Sequence, residues 1–250
     1  MKKVSLILTT YNCKDNLVKT IESIEKQDYP DIEVVIKDGV SVDGTLETIK
    51  QYQQESRHKV VWESKKDTGI YDAMNQGYAL SNGDVVVFFN DLFINDNIIS
   101  KMIRKIEEIN PTTGKEYNGA HADLVYADGE KVIRKWKMGQ GTIYQGWMPG
   151  HPTLFLKREI YEKYGLYDSS YKIAADYEFM VRFLKDKENQ LAYLPETVIS
   201  MFYGGTSSGG LKSYFISLIE SHEALVKNKV PFAWWLVFRR GLRVLWQFKS

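Results

Sequence analysis

Carboxylates and hydroxyls stand at the ends of the apolar runs in this chain, where side chains can reach a bound molecule. Thr9, Thr10, Tyr11 and Asn12 follow Val4 to Leu8, and Asp38 follows Ile32 to Ile36. The segment from Ser64 to Gly69 follows Val60 to Trp62, and Asn90 and Asp91 follow Val85 to Phe89. Groups of this kind hydrogen-bond a base or ribose, and carboxylate oxygens suit Mg²⁺ or Mn²⁺. No Gly-rich phosphate loop follows any of these runs. The pattern points to a nucleotide held by side chains, with a divalent cation as a further candidate.

These positions make sense if the runs are parallel strands, because open α/β sheets bind ligands at the carboxyl ends of their strands. Leu17, Ile21 and Ile24 recur at helical spacing before the Asp28-Tyr29-Pro30 break, and Leu46, Ile49 and Tyr52 do so after Asp43-Gly44-Thr45. Asp43 itself fits a turn or a helix cap. Ile70, Met74 and Tyr78 suggest a third helix, closing near Asn82-Gly83. Val85 to Phe89 is apolar throughout, as expected of a strand covered on both faces. The alternation predicts an α/β fold with a mostly parallel, doubly wound sheet flanked by helices. Ala122 to Trp136 reads as a hairpin about Asp128-Gly129. Gly139, Gly141, Gly146 and Gly150 space out a flexible, aromatic-containing stretch of the kind that forms lids. Asp176 to Leu184 reads as a helix, and the Gly204 to Gly210 loop divides a domain of residues 1-210 from a helical tail of residues 211-250.

Composition narrows the function classes. Lys and Arg number 33 against 32 Asp and Glu, so there is no overall pull toward nucleic acid, and none is expected as a partner. Cys13 is the single cysteine, which excludes an intrachain disulfide and a Cys-rich zinc site. The N-terminal apolar run is cut by Thr9, Thr10 and Asn12 and reads as a strand, with no export signal. A cytoplasmic setting is expected.

The segments TTYN, DGVSVDGT, DTGIYDAMNQG, FFND, GHPTLF and AADYEFMVR, in this order, resemble the inverting glycosyltransferases of family 2, which have the GT-A (Rossmann-like) fold. The resemblance runs from the first strand to the Gly-Ser loop. It implies that Thr9 and Tyr11 line a nucleoside pocket and that Asp38 accepts a hydrogen bond from the donor's base, uracil being suited to a carboxylate; the alternative for Asp38 is an Asp-Gly turn. It makes Asp67, Asp72, Asn75 and Asn90 donor contacts, near a helix start whose free amides favour phosphate, with capping as the alternative for Asp72. The family's Arg in this segment is absent here. Asp91 stands where a ligand for Mn²⁺ or Mg²⁺ is expected, but the usual DxD-like pair is incomplete, since the chain reads Asn90-Asp91-Leu92-Phe93. Metal independence is the alternative.

Asp176 matches the family's catalytic base, with Ala175 where a second acid often stands; a helix cap is the other reading. Glu178 falls on a different side of the helix and contacts acceptor or supports the fold, with Arg182 in reach at the next turn. His151 is implied near the donor phosphates or acceptor mouth, or is structural. Trp147 stacks on a sugar or plugs the core. The tail has Trp234, Trp235, Phe238, Leu242, Leu245 and Trp246 beside Arg239, Arg240, Arg243 and Lys249. A basic, Trp-rich helix of this kind lies in a membrane interface, or else packs on the core or another subunit. The interface reading places the protein peripherally on the inner face of the cell membrane, with a lipid-linked glycan as acceptor, as in relatives that build bacterial surface polysaccharides. The activity expected is transfer of a hexose or N-acetylhexosamine from a nucleotide diphosphate sugar, a UDP-sugar before others, to an acceptor hydroxyl. A noncatalytic sugar-nucleotide or glycan-binding module and a nucleotidyltransferase are the competing readings. Nothing in the sequence sets the oligomeric state.

Overall fold

The structure, a computed structural model, describes residues 1–129, 131–202 and 210–246. In chain order its elements are β1 (Val4–Thr10), α1 (Lys14–Glu25), β2 (Ile32–Asp38), α2 (Thr45–Glu55), β3 (Lys59–Ser64), α3 (Ile70–Leu80), β4 (Val85–Phe88), β5 (Leu92–Phe93), α4 (Ile98–Glu107), β6 (Gly119–Asp128), β7 (Lys131–Trp136), β8 (Phe155–Lys157), α5 (Arg158–Tyr164), α6 (Ala175–Leu184), β9 (Leu191–Phe202), α7 (Gly210–Lys227) and α8 (Ala233–Trp246). The strands form one sheet in the order β3-β2-β1-β4-β8-β6-β9-β5, with β7 paired to β6 off this path. β1 to β4 pair in parallel. Beyond β4 the sheet is mixed: β8 is antiparallel to both neighbours, β6 and β9 are parallel, and β5 and β7 are antiparallel to their partners.

Strand alternation distributes the apolar side chains between two cores. Val4, Leu6 and Leu8 of β1, with Val34 and Ile36 of β2, face the layer of α1, α2 and α4. Ile7, Val35, Val86 and Phe88 face the opposite layer of α3, α5, α6, α7 and α8. Each fully buried Leu, Ile or Val contributes roughly 1.5–3 kcal/mol. In α3 the inward residues are Tyr71, Met74 and Gly77, and Ile70 at the helix start is exposed, contrary to the spacing read from the sequence. Gly77 lets α3 approach the sheet: a β-carbon there would stand 2.6 Å from Ile7 Cγ2.

Two other expectations meet the structure differently. The stretch from Gly139 to Gly150 is packed rather than open, because buried Trp147 donates Nε1–H to the Met138 carbonyl (3.1 Å) and fills the space left by Gly141. The tail helices pack on the second core through Ala224, Leu225, Leu236 and Val237. The Gly-Ser loop lies outside the described residues except for Gly210, as do the side chains of Arg243, Leu245, Trp246 and Lys249.

Candidate active site

Parallel register brings Thr10 beside Asp38 and Asp38 beside Ser64 at the carboxyl ends of β1, β2 and β3. Asp38 is fully buried. Its Oδ1 accepts from Thr10 Oγ1 (3.0 Å) and Ser41 Oγ (2.5 Å), and its Oδ2 from the Ser41 amide (2.9 Å) and Ser64 Oγ (2.7 Å). Burial pushes its pKa up, but these donors outweigh burial and hold the carboxyl below the ordinary aspartate value. Four donors fill its acceptor positions, the arrangement of the turn reading given as its alternative. Asp38 ties three strand ends together and fixes the following turn, in which the β-branched Val40 adopts a φ of 67°.

Tyr11 and Asp67 close in on that turn. A β-carbon at Gly39 would stand 3.0 Å from Asp67 Oδ2 and 3.3 Å from the Tyr11 ring, so glycine lets these two side chains approach the turn. Tyr11 is 68% exposed. Asp67 Oδ1 accepts from the Gly69 amide (3.0 Å), while Oδ2 lies toward Gly39.

Thr9 and Asn90 are partners of each other: the Thr9 amide donates to Asn90 Oδ1, and Asn90 Nδ2 donates to Thr9 Oγ1, both at 2.9 Å. The pair clamps the ends of β1 and β4. Two expected donor contacts have structural duties instead. Asp72 Oδ2 accepts from the Thr68 amide (2.9 Å), the Thr68 hydroxyl (3.1 Å) and Gln76 (3.0 Å), which is a helix-start cap. Asn75 donates to the Tyr167 carbonyl (2.8 Å) and accepts from the Tyr167 amide (3.1 Å), fastening α3 to the segment before α6. Sequence reading missed Lys37, fully buried, whose Nζ donates to the carbonyls of Asp38 and Lys65. A cation directly after the apolar Val34 to Ile36 was the available signal. Asp43 accepts from the amides of Lys14 and Thr45, the first residues of α1 and α2 (3.1 Å each), as a cap would.

Asp91 is half-buried just after β4 and, among the described residues, takes one hydrogen bond, from the Phe202 amide at 3.2 Å. Burial pushes its pKa up to about 6 against that single donor. A carboxylate so poorly compensated suits a cation. Among the described residues no group of three or more His, Cys, Asp or Glu could hold a metal, so a cation here would rest on Asp91 and on oxygens of a ligand.

Asp176 lies in the first turn of α6, half-buried, with Oδ1 accepting from the Tyr71 hydroxyl at 3.2 Å. Tyr71 also donates to the Ile173 carbonyl. Burial first, and then the Asp176 charge, raises the Tyr71 pKa, so the phenol stays protonated and can donate. His151 has Nε2 2.8 Å from the Tyr167 hydroxyl and its ring stacked on Phe88. Burial lowers its pKa, and the charge of Asp176 opposes that. Glu178 and Trp147 lie in the core. Glu178 is fully buried and pairs with Arg182 (2.8 Å) and Asn228 (2.9 Å), the arrangement of its fold-supporting alternative, with the Arg182 partner that reading named. Trp147 is buried, as a packing plug.

The hairpin adds residues that sequence reading passed over. β6 pairs with β8 at residues 119 and 120 and with β7 at residues 124 to 128, so β7 continues the row of β8 beyond the end of β4. Arg134 lies 5.1 Å from the Tyr126 ring centroid and 5.3 Å from that of Trp136. The Tyr126 hydroxyl has its pKa raised by burial and further by Asp91 and Asp176, with Arg134 opposing. Tyr126 therefore stands in the field of both carboxylates.

Residues 5–165 match the model of glycosyl transferase family 2. A glycosyltransferase of PGL/p-HBAD biosynthesis from Mycobacterium tuberculosis is 26% identical over 213 residues, covering 82% of this chain and 78% of that protein. Staphylococcus aureus TarS 1-349, also solved in complexes with UDP and UDP-GlcNAc, superposes with a TM-score of 0.70 at 18% identity, covering 96% of this chain and 71% of that one. The mannosyltransferase PcManGT from Pyrobaculum calidifontis, solved with GDP-Man and Mn²⁺, gives 0.67 at 16% identity, over 98% and 74% of the two chains. With a family match over more than half its length and a GT-A sheet, the chain belongs to glycosyltransferase family 2.

Proposed function

We propose that this glycosyltransferase moves a hexose or N-acetylhexosamine from a UDP-sugar to a glycan hydroxyl with inversion, Asp176 acting as base. The observation that carries the reading is the pair of partly exposed carboxylates with different surroundings, Asp91 held by the Phe202 amide and Asp176 held by the Tyr71 hydroxyl, both acting on Tyr126. The base lies flanked by Tyr11 and Asp67 beside Gly39, and the diphosphate lies toward Asp91. The acceptor enters along the hairpin. Its hydroxyl oxygen bonds to the anomeric carbon as the bond to the diphosphate oxygen breaks, and its proton passes to the Asp176 carboxylate. Tyr71 holds that carboxylate in place. Mn²⁺ or Mg²⁺ on Asp91 would supply positive charge to the departing diphosphate.

The tail favours a lipid-linked acceptor. Phe232, Trp234, Trp235, Phe238 and Leu242 are exposed, beside exposed Arg239, while Ala233, Leu236 and Val237 face the core. Among the described residues no helix is long and apolar enough to cross a membrane, so the proposed attachment is peripheral. Trp234→Ala with Trp235→Ala is expected to release the protein from anionic vesicles in sedimentation; undiminished binding removes the membrane surface as a partner.

The test of the central reading is calorimetric titration with UDP and with GDP, each with Mn²⁺ and with a chelator. Metal-enhanced binding of UDP alone is the expected result. If neither nucleotide binds, the donor site fails and a glycan-binding module replaces it.

A further inference from the structure

The segment that opens the catalytic helix is held from the far end of the chain. The carboxylate of Glu220, in α7, accepts from three successive backbone amides: Lys172 on Oε1, and Ile173 and Ala174 on Oε2, each at 2.9 Å. Glu220 is 8% exposed. Ala174 is the N-cap of α6 and offers no side-chain cap of its own, so Glu220 meets both the free amides and the positive end of the helix dipole from another element. On its other side the same segment is gripped by Tyr71, which donates to the Ile173 carbonyl and to Asp176. The tail touches α6 twice more. Asn228 donates to Glu178 (2.9 Å), and Arg240 lies 4.4 Å from the Tyr177 ring.

We infer that Glu220 is a positioning residue for the transfer reaction: it fixes the backbone of residues 172–174 so that Asp176 stands at the distance and angle a proton acceptor needs. The inference rests on the reading of Asp176 as base. It makes the tail part of the catalytic apparatus, because Glu220 belongs to the tail helix α7 and reaches the segment that opens α6. A carboxylate is required rather than an amide. Three amide donors need acceptor lone pairs on both oxygens, and a glutamine turns one of those positions into a donor facing a donor.

The experiment compares the full chain with Glu220→Gln, Glu220→Ala, Asp176→Asn and, as a control on the exposed side of α7, Glu223→Gln. UDP affinity, donor KM, kcat and amide hydrogen exchange at residues 172–174 are measured on each. Glu220→Gln is expected to lower kcat about 10- to 100-fold, as a small misplacement of a reacting group does. Donor KM and UDP affinity should stay within about two-fold of the parent, with faster exchange confined to the 172–174 amides. Glu223→Gln should match the parent. Should Glu220→Ala fold poorly, Glu220→Gln still decides, because it keeps the side-chain volume. A kcat within two-fold of the parent in Glu220→Gln overturns the inference, as does a loss of UDP affinity equal to the loss in kcat. If Asp176→Asn is inactive while Glu220→Gln is normal, the latch alone fails and the base reading stands. If Asp176→Asn transfers normally, the base reading fails and takes the latch's catalytic role with it, whatever the exchange data show.

Discussion

The parallel half from β1 to β4 and the mixed half from β5 onward build their functional edges in different ways. In the parallel half the side chains at the strand ends satisfy one another: Thr10, Ser41 and Ser64 on Asp38, and Thr9 on Asn90. Neighbours in the sheet are the partners, so the edge is set by register. In the mixed half Asp176 depends on Tyr71 from α3 and, through its own backbone, on Glu220 near the chain's end. The same residue type thus does opposite work in the two places. Asp38 is spent on structure, whereas Asp176 keeps a half-exposed carboxylate with one side-chain partner.

That contrast is sharpest in replacement of the two aspartates. Asp176→Asn preserves shape and removes basicity, so kcat should fall about 10²- to 10⁴-fold with UDP affinity unchanged. Near-normal transfer would erase the distinction by making Asp176 another capping residue. A buried group of the mixed half should instead show itself in stability. His121 is fully buried, has Nε2 3.2 Å from Gln140 Oε1, and stacks on Tyr193. Burial pushes its pKa down to about 4. The folded pKa lies below the unfolded value of about 6.5, so the unfolded chain takes up the proton first. The stabilisation is complete above about pH 6.5 and is lost as pH falls toward 4, a change of roughly 3 kcal/mol at about 1.4 kcal/mol per unit. Urea midpoints of the parent and of His121→Phe, measured from pH 7 to pH 4, should diverge over that window; parallel curves would remove His121 as the cause.

Much of the parallel half was legible in the sequence because its information is local. Short apolar runs in β1, β2 and β4 and turn residues after each strand place the site edge without knowledge of any distant partner. What stayed hidden was the saturation of Asp38, since Thr10 and Ser64 become its donors only when β2 pairs with β1 and β3. α4 carried its own signal in Ile98, Ile99, Met102, Ile103 and Ile106, all buried, and went unread. In the mixed half the AADYEFMVR segment pointed to Asp176 and to the Glu178–Arg182 pair, but it left open whether Glu178 contacts acceptor or supports the fold. Its second partner is Asn228, fifty residues on. Nothing in the spacing of the tail tells that Glu220 will meet the amides of Lys172 to Ala174, because that contact is set by helix docking and not by sequence period.

Within the parallel half the remaining comparison is between Asp38 and Asp67, two aspartates beside Gly39. Asp38→Ala would strand the hydroxyls of Thr10, Ser41 and Ser64 in a buried site, and should cost about 2 kcal/mol of stability, read as a lowered urea midpoint. Asp67 has one oxygen on the exposed Gly69 amide and the other toward Gly39, so its removal leaves no buried donor stranded in the same way. Asp67→Asn should leave the urea midpoint within error and weaken UDP binding about 10-fold, the worth of one charge-assisted hydrogen bond at roughly 1.4 kcal/mol. The pair of variants separates support from contact, because one shifts stability and the other affinity. If Asp38→Ala instead loses UDP binding at unchanged stability while Asp67→Asn binds normally, the hydroxyls around Asp38 must open to admit the base, and the closed arrangement at the end of β2 belongs to the empty site alone.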